Sequence, residues 1–141
     1  MKKSIIVLLA VFSVLVMLLA ACGGGSSADK PEDKVPDQYA NKTNPFNGKA
    51  DAAEAGKIVY QANCASCHGD KGLGDGPAGA NLDPKPADLT EPAKNDPDGE
   101  LLWLISEGVP AGEPGPAMPA WKGVLTEDQI WQVVTYLRTL K

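Results

Sequence analysis

The sequence predicts a small all-α domain in which long loops, as well as helices, surround the centre. Three observations predict it. Apolar residues in the C-terminal part recur at helical spacing in three stretches, and no alternating strand pattern stands out. Between His68 and Asp96 lie more than twenty residues without clear periodicity, an uncommon length for a structureless loop inside a compact domain. Residues 51–141 are also rich in Gly and Pro and poor in bulky apolar side chains, a thin core for a bundle of that size. Both oddities disappear if a large, flat, apolar cofactor fills the middle and the loop wraps it.

Taken in order, residues 1–21 read as a signal peptide. Lys2 and Lys3 supply a positive start, and an apolar run from Ile5 to Ala21 is broken only by Ser13. The run ends in Leu19-Ala20-Ala21-Cys22, which resembles a bacterial lipoprotein signal with export, lipid transfer to the Cys22 thiol and cleavage before it. The competing reading is an uncleaved membrane span, for which the run stands at the lower length limit. Either reading puts the folded part outside the cytoplasm and against a membrane. A lipidated cysteine carries the two or three chains that stable anchoring requires.

Residues 22–50 then read as the lipidated cysteine and a flexible tether. The stretch is Gly/Ser-rich and then polar, with prolines at 31, 36 and 45 and balanced charge. Such a chain spans roughly 30 Å on average and at most about 95 Å. Tyr39 and Phe46 have two available roles, docking on the domain or on a partner.

Residues 51–141 form the expected domain. The first helix runs from about Asp51 to Ala65, with Gly56, Tyr60 and Cys64 on one face. The second starts near Asp96 as N-cap with Pro97 following, carries Leu101, Leu102 and Ile105, and stops at Gly108 before Pro110. The third opens at Thr126-Glu127-Asp128-Gln129, a capping-box spacing. It continues through Ile130, Val133, Val134 and Leu137 towards Leu140. Trp103 and Trp131 read as helix packing.

The chemistry lies in Cys64-Ala65-Ser66-Cys67-His68, the Cys-x-x-Cys-His spacing of covalent haem c attachment. Two thiols three residues apart on a helical turn reach the two vinyl groups of haem as thioethers. The adjacent histidine then aims its imidazole at the iron. A structural zinc site needs four ligands of this kind, and the domain offers two Cys and one His. A thioredoxin-like pair needs a βαβ setting that is absent. A plain disulfide accounts for the thiols and leaves the histidine without a role.

His68 is the only histidine, so a second imidazole cannot come from this chain. Met118 is the one methionine beyond the apolar leader, and it stands in Gly115-Pro116-Ala117-Met118-Pro119-Ala120-Trp121 rather than on an amphipathic helix. Prolines there hold a thioether in place without needing backbone donors, so Met118 is the expected second axial ligand.

With these residues in hand, the domain resembles the class I c-type cytochromes over 51–141. The attachment motif and the Met-Pro-x-Trp loop carry the resemblance. Gly56 and Tyr60 match the family's N-terminal helix, and Val133, Tyr136 and Leu137 match the C-terminal helix that crosses it. It implies one covalently bound haem c, with thioethers from Cys64 and Cys67 and axial His68 and Met118. In Asp75-Gly76-Pro77-Ala78 it implies that the Pro77 carbonyl accepts from His68 and orients it. Trp121 is expected to pack on the haem or donate to a propionate.

An iron held on both faces has no open position, so the expected function is single-electron transfer, not catalysis. The main reading is a membrane-anchored carrier in an extracytoplasmic respiratory or photosynthetic chain, exchanging electrons with redox protein partners. An alternative is a fixed cytochrome subunit of a larger quinol-oxidising or terminal oxidase complex, with membrane subunits as partners. A haem enzyme with a displaceable Met118 would want a distal acid or base, and no second histidine exists. The domain carries seven Lys/Arg against fourteen Asp/Glu, which disfavours nucleic acid and excludes docking through a lysine ring.

Overall fold

The computed structural model describes residues 35–111 and 117–141. The expected signal peptide, Cys22 and the tip of the proline-rich loop around Glu113 lie outside the described residues. Among the described residues there are six helices: α1 (Asp37–Ala40), α2 (Ala50–Asn63), α3 (Ala65–His68), α4 (Pro92–Asn95), α5 (Asp98–Glu107) and α6 (Glu127–Leu137). Pairing outside helices is limited to isolated bridges, Val109 with Met118 and Lys122 with Leu125. The architecture is all-α, as expected.

The frame is the crossing of α2 and α6. A Cβ on Gly56 would collide with the Gln132 carbonyl and would meet the Val133 nitrogen at 2.9 Å, so the two backbones touch where residue 56 has no side chain. One turn further along each helix, Tyr60 and Tyr136 meet with ring centroids 5.2 Å apart and planes tilted by 54°. Tyr60 and Val134 are fully buried, and Leu102, Ile130, Trp131, Val133 and Leu137 complete the core beside them. α6 begins as its sequence dictates. The Thr126 hydroxyl accepts from the Gln129 backbone N–H, and the Gln129 side chain accepts from that of Thr126. α5 ends at Gly108, whose φ of 74° suits glycine. It starts one residue later than expected, with Pro97 at the N-cap, because α4 takes Pro92–Asn95 as a separate turn.

The expected boundary at residue 51 requires correction. Residues 35–49 pack on the domain as a strap. Tyr39 is 6% exposed and Asn44 7%. The Asn44 amide donates to the Trp131 carbonyl at 3.1 Å and to the Thr135 hydroxyl at 2.9 Å, while its backbone N–H donates to Asp98 at 2.9 Å. Asp98 also pairs with Arg138 at 2.7 Å, and Arg138 donates to the carbonyls of Ala93 and Asp96. Composition alone reads this stretch as tether because its anchors are polar and distant in sequence. Burying them is favourable because each finds a partner.

Two substitutions test this frame in guanidinium unfolding of the haem-loaded protein. Gly56→Ala should cost about 1–3 kcal/mol or more by forcing the helices apart. Asn44→Ala should cost about 1–3 kcal/mol by removing the side-chain bonds to the Trp131 carbonyl, the Thr135 hydroxyl and the Phe46 N–H. A strap that is mere tether would leave Asn44→Ala at wild-type stability.

Candidate functional site

The site begins where α2 breaks. Cys64 closes α2, its N–H bonded to the Tyr60 carbonyl at 2.8 Å, and opens the single turn α3 that carries Cys67 and His68. Both thiols are free and half-buried, with Cys64 against the core. Burial, and then the neighbouring Cys67, push the Cys64 thiol up to about 11, so it stays protonated near neutrality.

Main-chain bonds wrap the following loop around α3. Gly74 N–H donates to the His68 carbonyl at 2.9 Å, Gly76 N–H to that of Cys67 at 3.2 Å and Ala78 N–H to that of Ser66 at 2.8 Å. These are the carbonyls that a helix end leaves unpaired. The buried Tyr60 hydroxyl donates to the Gly69 carbonyl at 2.7 Å, tying the residue after His68 to α2.

The Nδ1 of His68 lies 3.1 Å from the carbonyl oxygen of Ala87. A carbonyl only accepts, so Nδ1 carries the proton and Nε2 presents its lone pair. Burial holds the imidazole below its usual range, with the Ala87 bond acting weakly the other way, which favours the neutral, ligating form. The expected acceptor was Pro77. In the structure Pro77 is exposed, and its loop is committed to capping α3. The carbonyl instead comes from the next pass of the chain. Buried Pro86 fits over Gly74 and Gly79, where any Cβ would collide with it, and this brings Ala87 to the ring. The Asp88 carboxylate then accepts from the N–H and hydroxyl of Thr90 and turns the chain towards α4.

Met118 is half-buried against the same core cluster as Cys64, Leu89 and Trp121. Its backbone exchanges two bonds with Val109, both 2.9 Å, and Trp121 N–H donates to the Ile105 carbonyl at 3.1 Å. Gly108 makes the close return feasible, since a Cβ there would collide with the Met118 carbonyl. The donor set therefore fits haem c: two free thiols on one turn, an imidazole with Nε2 available and a thioether bordering the same core.

Sequence reasoning missed Ala87 and Asn44; of the two roles open to Tyr39, the structure shows docking on the domain. Lys85-Pro86-Ala87-Asp88 carries a turn signal, but nothing in it marks which carbonyl reaches the ring.

Comparisons with known proteins give the family and the fold. Residues 51–137 match the protein family described as cytochrome c oxidase, cbb3-type, subunit III. The cbb3-type cytochrome c oxidase subunit CcoP of Azospirillum brasilense is 31% identical over 103 residues, covering 73% of this chain and 33% of that protein. CcoP of Azospirillum sp. strain B510 is 36% identical over 109 residues, covering 74% and 35%. The chain thus spans about a third of the length of these curated relatives. Among solved structures, a chain of the reducing HAO-like protein complex of Kuenenia stuttgartiensis is 36% identical with a TM-score of 0.53. That similarity covers 61% of this chain and 41% of the other. Cytochrome cL of Methylophaga aminisulfidivorans, at 22% identity and a TM-score of 0.54 over 79% and 70% of the two chains, shares the fold.

Tyr60→Phe probes the link from the α2–α6 frame to the histidine turn. Removing the hydroxyl leaves the Gly69 carbonyl only the longer bond from Gly72 N–H at 3.2 Å, and guanidinium unfolding should show a loss of about 0.5–1.5 kcal/mol. Unchanged stability would mean that this bond holds nothing.

Proposed function

Because the chain belongs to the cbb3-type cytochrome c oxidase subunit III family, and so carries covalently bound haem c, we propose that it passes single electrons as a cytochrome component of a membrane-bound terminal oxidase. Family and relatives favour this reading over the free membrane-anchored carrier expected from the sequence. The family match over the whole haem domain is the observation that carries it. Since the relatives are about three times as long as the matched segment, the oxidase partnership is inferred from their names and not from any surface of this chain.

Bound in the site, haem c supplies one-electron exchange between ferrous and ferric iron, and thioether ligation favours the ferrous form. The chain's own residues do the rest. Cys64 and Cys67 would fix the group to α3. His68 would ligate through Nε2, its ring held by the Ala87 carbonyl on Nδ1. Met118 would ligate from the other side on a loop registered against α5. Trp121 would pack on the haem edge, and the Pro77 loop would act by capping α3 instead of by touching the imidazole. With His68 and Met118 both holding the haem, the chain's part would be electron transfer.

The domain stands outside the cytoplasm at the membrane, the side on which haem c is attached. Among the described residues no helix is long and apolar enough to cross a membrane. Anchoring would come through lipidated Cys22, a reading supported by Leu19-Ala20-Ala21, which ends the apolar run at that cysteine.

Three measurements test this reading. The ferric protein should show the weak long-wavelength sulfur-to-iron band, and Met118→Ala should abolish it. Solubilised in mild detergent, the native protein should copurify with integral oxidase subunits; recovery as a lone monomer would return the free carrier to favour. Labelling with a radioactive fatty acid should mark the wild type and spare Cys22→Ala.

A further inference from the structure

The strap does more than extend the domain, because it meets the methionine loop at one carboxylate oxygen. We propose that Tyr39, Glu107 and Lys122 form a brace that positions the Met118 loop, so that the N-terminal strap sets how firmly the thioether is held. The proposal rests on Met118 being the ligand.

The loop is registered on the last turn of α5. Beyond the paired bonds of Val109 with Met118, Trp121 N–H donates to the Ile105 carbonyl and Lys122 N–H to that of Ser106, at 3.1 and 3.0 Å. These are again carbonyls that a helix end leaves free. The same turn is gripped from the other side. The Tyr39 hydroxyl donates to Glu107 Oε1 at 2.5 Å, and the Lys122 ammonium donates to that same oxygen at 3.0 Å. One oxygen therefore joins strap, helix end and loop.

An exposed Lys–Glu pair alone contributes little, and these side chains are 66% and 39% exposed. Tyr39 changes that. It is buried, so its hydroxyl approaches Glu107 along one fixed direction and holds the carboxylate where Lys122 must meet it. The Glu107 carboxyl is accordingly held below its usual range, first by Tyr39 and then by Lys122. The Tyr39 backbone also rests on Gly99, where a Cβ would collide with its carbonyl, so the strap touches α5 at its first turn as well as its last. Lys42 extends the contact to Glu127 at the start of α6, at 2.7 Å. Asn44 is a separate anchor, bound to Asp98 and to α6.

The test titrates the full-length, haem-loaded ferric protein with imidazole and follows loss of the sulfur-to-iron band. Tyr39→Phe keeps the ring and removes the hydroxyl; Lys122→Met keeps the stem and removes the charge. Each should let imidazole displace the thioether at about 3- to 10-fold lower concentration, the worth of one hydrogen bond. Ile58→Gly, an exposed change in the middle of α2, should lower the guanidinium midpoint and leave the imidazole titration at the wild-type value. Tyr39→Phe titrating like the wild type, or Ile58→Gly shifting the titration as far, would overturn the brace. A wild type lacking the band altogether would instead sink the ligand assignment, and the brace with it.

Discussion

The close crossing of α2 and α6 at Gly56 is the constraint on which the rest depends. Because residue 56 has no side chain, the Gln132–Val133 backbone lies directly against it, and Tyr60 and Tyr136 are brought together one turn on. Tyr60 then reaches the Gly69 carbonyl, which fixes the chain just beyond His68. From the far end of α6, Arg138 collects the carbonyls of Ala93 and Asp96 and the Asp98 carboxylate, which fixes where α5 begins. The turn bearing the imidazole and the helix that registers the thioether loop are thus both indexed to one pair of helices. A shift at Gly56 would be felt at both His68 and Met118.

Around that frame, main-chain bonding replaces much of what side-chain burial does in larger domains. The loop from Gly69 to Ala78 spends its N–H groups on the carbonyls of α3, and the Met118 loop spends its own on the end of α5. Glycines stand where one strand of chain passes over another: Gly74 and Gly79 beneath Pro86, Gly108 beneath Met118. This suits a protein that exchanges electrons. A small domain cannot bury much apolar surface per residue, and loops pinned by directional bonds hold axial ligands with less freedom than loops held by apolar contact alone.

What was legible in the sequence was either local or carried by the family pattern. The capping box at Thr126, the stop at Gly108 and the Gly56–Tyr60–Cys64 face follow from spacing along one helix. The residues proposed to hold the haem were picked out by the Cys-x-x-Cys-His spacing and by residue type, since only one histidine and one methionine stand beyond the apolar leader. The strap was illegible for a physical reason. Tyr39 and Asn44 find partners 54 to 91 residues away, through polar contacts that leave no periodicity. The choice of Ala87 over Pro77 was illegible too, because a backbone carbonyl has no signature in residue identity. It depends on how Pro86 seats over two glycines, a tertiary event.

The strap's attachments differ in how well water and salt reach them, and this orders their strength. Asn44, Asp98 and Arg138 form the inner attachment; the two charged side chains are about one-fifth exposed, and each has more than one partner. Salt screens such a pair weakly, and removing one member strands the other. Lys42 with Glu127 and Lys122 with Glu107 form the outer attachment, on side chains 39 to 66% exposed, where screening is effective. The strap is therefore firm where it defines the domain and softer where it meets the Met118 loop. Only the buried Tyr39 hydroxyl gives the outer end a fixed direction, which makes that one bond the point at which a tug on the N-terminal region would reach the thioether.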